Sequence, residues 1–164
     1  MSDLTESITE FLTSDSILNA PDTTLSTAKR GFVDCLGVAI AGRSEPVSQM
    51  LQRYVASRTG SPDARALLSK QRVAVSHAAL YGTAAAHALD YDDYAFSNHV
   101  SALMVPAIVA EAERRGASGL AMLQAYIAGF EVWGRIFKRE PDHLHSQGWH
   151  PTGIFGALGV AAAI

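Results

Sequence analysis

Between Val73 and about Leu89 the chain is built mainly from small residues, with alanine at positions 74, 78, 79, 84, 85, 86 and 88. The distance between packed helices follows the size of the side chains at their contact, so such a segment suits helices that approach closely. It is expected to form a central, buried helix, and its neighbours must then be helices with matching apolar stripes.

The rest of the sequence supplies them. Ile8, Phe11 and Leu12 mark a short amphipathic opening helix. Leu25, Ala28, Phe32, Leu36 and Ala39 recur at three- and four-residue steps, with Asp22 or Thr23 placed to cap and Gly42 to end the helix. Val47, Leu51, Tyr54 and Val55 make a third stripe, closed by TGSPD. ARALLSKQRV is ambiguous between a brief extended piece and a helix entry. VSALMVPAIVAEAERRGASG reads as a further helix, with Pro106 bending it or standing in its first turn and Gly116 as terminator. Leu120, Leu123, Ile127, Phe130 and Ile136 share one face of the next, and a last apolar helix follows Pro151. The fold class is therefore all-α, with tightly packed antiparallel helices and no repeat, linker or low-complexity tract.

A chain of 164 residues suffices for one domain with a real core. Its net charge of −3 and lack of any Lys/Arg stripe argue against nucleic acid as a partner. The longest apolar run, Gly31 to Gly42, carries Asp34 and falls short of the roughly 20 residues a bilayer span requires. The opening MSDLTESITEFLTS is acidic and amphipathic, unlike a secretion signal, and the single cysteine, Cys35, reads as a small buried hydrophobe. These features give a cytoplasmic expectation, with no membrane partner. The closing PTGIFGALGVAAAI is apolar and lacks a stop signal, and it reads as part of a longer helical body or as an end buried by a partner.

Two polar loops interrupt the apolar body: Asp90 to His99, and His143 to Thr152. The first sets three carboxylates, Asp90, Asp92 and Asp93, between His87 and His99. Asp and His are metal ligands, yet no HExxH, DDxxD or EF-hand spacing is present. An acid/base pocket needs less: a carboxylate such as Asp90 to orient a histidine, and His99 or His150 to move a proton near neutral pH. Tyr94 can donate to a developing oxyanion, and Trp149 beside His150 can wall a pocket. On pattern alone these readings stand beside a bland one, in which the acids cap helix ends and the histidines are solvated.

AAAHALDYDD, then HVSALMVPAIVAEAE, SGLAMLQAYIAGFEVWGRI and GWHPTGIFGALGVAAA occur in an order that resembles the MmgE/PrpD family, from about Thr27 to the last residue. That family includes 2-methylcitrate dehydratase, cis-aconitate decarboxylase and iminodisuccinate epimerase. The resemblance implies a large helical domain with a smaller α+β lid, usually as a homodimer, and catalysis without metal or organic cofactor. Residues 1–164 would then be the N-terminal portion of the helical domain, truncated before the lid and inactive on its own. Its substrate would be a small polycarboxylate, with a homodimer mate or a further chain segment as partner.

Carried over by motif, Asp90 matches the first acid of D-[FY]-D-D-T, His99 the histidine of H-P-S, and His150 that of G-[WF]-H-P-T. These three are the expected catalytic residues, with Tyr94, Trp149 and Thr152 as substrate-binding neighbours and Asp92 and Asp93 as helix-end and loop support. Tyr94 departs from the family's Thr, and Val100 from its Pro. A phenol in place of a small hydroxyl bears on substrate choice more than on fold.

Overall fold

The computed structural model describes residues 3–67, 69–96, 98–140 and 144–164. Among these, eight α-helices and one two-stranded hairpin are arranged as an all-α body. Short α1 (Leu4–Leu12) and α2 (Asp15–Leu18) precede the long α3 (Asp22–Gly42), and α4 (Pro46–Ala56) follows. The side chain of Asp3 accepts from the Thr5 amide and caps α1. The capping expected at Asp22 or Thr23 is corrected: Pro21 holds the cap position in extended backbone and no side chain bonds there. Asp22 instead opens the helix, where its charge meets the positive end of the helix dipole.

The ambiguous segment supplies a short strand at each end. β1 (Ala64–Arg65) and β2 (Arg72–Val73) pair antiparallel with Ala64 opposite Val73 and Arg65 opposite Arg72. Glu113 anchors this hairpin by accepting from the Arg65 amide at 2.8 Å and from Arg72 Nη1 at 2.7 Å.

The Ala-rich segment forms α5 (Val75–His87), which packs against α3, α4 and α6 (Val100–Arg115). Pro106 lies beyond the first turn of α6, and its ring sits so close to α5 that a Cβ on Gly82 would stand 2.7 Å away. The helix ends at Gly116 with φ of 66°, and the Ala117 amide returns to the Ala112 carbonyl at 2.9 Å.

Ser118 caps α7 (Gly119–Phe137) through the Ala121 amide at 3.2 Å. A 3-10 turn, Leu144–Gln147, leads to α8 (Pro151–Ala163), which begins with proline in its first turn. α8 lies against α6 and α7, and Trp133 fills the space between them with no exposed surface. Burying a side chain of that kind contributes on the order of 2–3 kcal/mol. The helix with most of its length buried is α6, and its N-terminus opens onto the loop that carries the acids. No helix among the described residues is long and apolar enough to cross a membrane.

Candidate active site

α5 ends at His87, and α6 begins immediately after His99. The intervening loop turns sharply at two left-handed residues, Asp90 and Phe96, both with φ of 55°. Asp tolerates that region better than most residues, whereas a bulky aromatic there is uncommon and is held only by its surroundings. Here the Phe96 ring packs against those of Phe130 and Phe137, with centroids 5.1 and 5.9 Å away.

The loop brings His87, Asp92 and His99 together. Asp92 Oδ1 lies 2.9 Å from His87 Nδ1, and Asp92 Oδ2 lies 3.1 Å from His99 Nδ1. The Asp92 side chain has no exposed surface, whereas the His99 side chain is 17% exposed. A buried carboxylate is costly unless its oxygens are bonded, and here each oxygen receives one ring nitrogen. An ionised carboxylate only accepts, so the proton of each neutral imidazole stands on Nδ1. That leaves His99 Nε2 as the atom available for proton transfer. It lies 3.6 Å from Asp90 Oδ1, a charge contact too long for a hydrogen bond.

The other expected residues fall at various distances from this centre. Asp90 is exposed at the lip of the loop, and the ring of Tyr94 meets that of His99 edge-on at 5.4 Å. Thr152 is buried in the first turn of α8, and its Oγ1 receives the His99 amide at 3.4 Å, which joins the two polar loops. His150 occupies the cap position of α8 without a side-chain cap bond, exposed, with its ring 5.9 Å from that of His145. Trp149 is exposed beside it. Among the described residues no hydrogen bond links His150 to Asp90, Asp92 or His99. His143, the start of the second loop, lies outside the described residues.

Sequence reasoning noted His87 beside the acids without giving it a role and set Asp92 aside as loop support, yet Asp92 is the residue that joins the two histidines. The available signal was His87 in the last turn of a helix five residues before an acid. What could not be read was the burial of that acid.

Asp93 points into the protein, where Ser101 donates to it from its amide at 3.2 Å and from its hydroxyl at 2.8 Å. Burial pushes the Asp93 carboxyl above its ordinary range, and the two bonds from Ser101 pull against it. Burial likewise raises the Tyr126 phenol to about 12. Asp93 also borders a cleft of about 510 Å³ between α3 and α7, and no histidine lines that cleft.

His87, Asp92 and His99 each offer one ligand atom, these atoms lie within 4.8 Å of one another, and they are donor types that transition metals accept. The same atoms are mutually satisfied by hydrogen bonds. The arrangement can therefore hold a histidine in one tautomer and present its outer nitrogen to a ligand, a device for moving protons.

Comparison with known proteins places the chain as a whole among relatives of stated identity. The chain is 29% identical to a cis-aconitate decarboxylase of Homo sapiens over 170 residues, which cover 98% of the chain and 35% of that protein. The corresponding protein of Mus musculus is 29% identical over 175 residues, covering 98% of the chain and 34% of that protein. A cis-aconitate decarboxylase-like protein of Aspergillus oryzae is 27% identical over 166 residues, covering 95% and 34%. The chain thus spans about a third of the length of the curated relatives it matches. With residues 6–164 also matching the profile of the MmgE/PrpD N-terminal domain, the chain belongs to the MmgE/PrpD family.

Proposed function

We propose that this chain is the histidine-bearing, N-terminal portion of a helical domain in a cofactor-independent lyase or isomerase acting on a small polycarboxylate. The observation that carries this reading is the 3.1 Å contact between buried Asp92 and His99 Nδ1, which leaves Nε2 as the working atom. Such enzymes must build carbanion character beside a carboxylate and then give or take a proton at that carbon. Decarboxylation is the version to test first, because the named relatives are cis-aconitate decarboxylases. In it the carbon–carboxylate bond breaks, carbon dioxide leaves, and the electron pair remains on carbon. An imidazolium N–H then returns a proton to that carbon. We assign His99 and His150 to the proton transfers, with Asp92 fixing the His99 tautomer, Asp90 tuning Nε2 from outside, and Tyr94, Trp149 and Thr152 shaping the substrate side.

The substrate's carboxylates require cations. Among the described residues, the ion-pair partners of Asp90 and Asp92 are histidines, with no Lys or Arg. In this reading those cations, together with the lid and the homodimer mate, come from outside the described residues. The same observation favours a second reading, a catalytically inactive helical module that serves assembly.

Incubation of the full-length parent, of which this chain is the proposed N-terminal portion, with cis-aconitate in D2O, followed by proton NMR, separates the two. Loss of carbon dioxide with one deuterium entering the product is expected, with 2-methylcitrate and iminodisuccinate run as alternatives. His99→Ala and His150→Ala are expected to abolish turnover while the helical circular dichroism persists. No turnover of any of the three, together with no perturbation of the His99 ring signals by them, removes the enzymatic reading. Near-normal turnover in His150→Ala removes that residue from the pair.

A further inference from the structure

Ser101 is completely buried, two residues beyond His99, and three parts of the fold converge on it. Asp93 receives its amide and its hydroxyl. With that hydroxyl proton given to Asp93, the Tyr126 O–H of α7 donates to Ser101 Oγ across 2.6 Å. The Cys35 thiol of α3 donates to the Ser101 carbonyl at 3.3 Å. Gly31 makes room for this meeting, since a Cβ there would stand 2.8 Å from the Tyr126 oxygen.

His99 holds the cap position of α6 but makes no side-chain cap bond. A cap residue ordinarily accepts from the second or third amide of its helix. Here the second amide, that of Ser101, is taken by Asp93 from across the loop. We propose that Asp93 is a positioning residue that caps α6 in place of His99, so that the imidazole is free to be held by Asp92. Asp93 follows Asp92 directly, and Ser101 closely follows His99. Joining Asp93 to Ser101 therefore fixes the separation of Asp92 and His99, which the loop between them leaves to backbone entropy.

The catalytic consequence rests on the function proposed above, but the structural one is read without substrate. Nitrogen-15 NMR of the imidazoles reports which nitrogen of His99 carries the proton. The unaltered chain is expected to show His99 protonated at Nδ1 as a single tautomer. Asp93→Ala is expected to populate both tautomers, and Asp93→Asn, whose amide oxygen can still accept from the Ser101 amide, to restore the single one. Where turnover is measured, kcat/KM falls on the order of a hundredfold in Asp93→Ala, mainly through kcat. A folded Asp93→Ala variant with an unchanged His99 tautomer overturns the proposal. If that variant fails to fold, Ser101→Ala decides: it removes one of the two bonds to Asp93 and is expected to loosen the tautomer preference by less, and an unchanged His99 again overturns it. A shifted tautomer without turnover of any polycarboxylate leaves the positioning role standing and removes the lyase reading alone.

Discussion

At the scale of single residues, the site turns on one carboxylate shared by two imidazoles. Asp92→Asn tests this directly, because an amide offers one acceptor and one donor where the carboxylate offers two acceptors. One histidine must then give up its Nδ1 proton. If that histidine is His99, turnover is expected to fall on the order of a hundredfold or more with the fold retained, as measured by kcat and imidazole NMR. A second residue-scale expectation concerns Glu111, which accepts from Arg114 Nε at 2.8 Å and also pairs with Arg115. The Arg114 hydrogen bond, seconded by Arg115, holds its carboxyl down at about 2, against an ordinary value of 4.5. A depressed acid contributes stability that is fully present above its unfolded value and is lost as pH falls through its folded value. Glu111→Gln is therefore expected to lower the urea midpoint at pH 6, with the difference vanishing between pH 4.5 and 2. The motif histidines and acids were legible as letters in the sequence. Which acid is buried was not, because Asp90, Asp92 and Asp93 lie within four positions of one loop, and its path through the fold, with Asp92 buried and Asp90 exposed, is what separates them.

At the scale of elements, the helices were legible because their apolar residues repeat with the helical period and Gly and Pro mark their ends. The two-residue strands were not, since β1 and β2 are too short for alternation to declare itself. Their pairing is fixed from a distance by Glu113 of α6. Gly156 and Gly159 were readable as close-approach residues, and the glycine that faces Gly159 from α7 was not. A Cβ on Gly129 of α7 would stand 2.6 Å from the Gly159 carbonyl of α8 and 2.9 Å from Met104 Sδ of α6. Gly129→Ala gains about 1 kcal/mol of helix propensity, but a backbone carbonyl must move to admit it. Overpacking of this kind costs about 1–3 kcal/mol, so a net loss is expected in the denaturant midpoint, with an unchanged m-value.

For the whole molecule, α8 is apolar on every side, while Ile154 and Leu158 face outward, 37% and 48% exposed. A helix of that composition is ordinarily buried all round. The chain is therefore expected to self-associate as its concentration rises, and Leu158→Glu to reduce that association in light scattering without loss of helix. A last consequence comes from Cys35, 1% exposed at the seam of α3 and α6, its thiol pushed well above the ordinary range by burial. An alkylating reagent cannot reach a sulfur so placed until the seam parts, so the chain carries its own clock for that opening. Labelling across a denaturant series is expected to run far slower than for a free thiol. Where the rate ceases to follow denaturant, α3 parts locally from the helix whose first turn follows the histidine; where it follows denaturant throughout, the seam survives until the whole molecule unfolds.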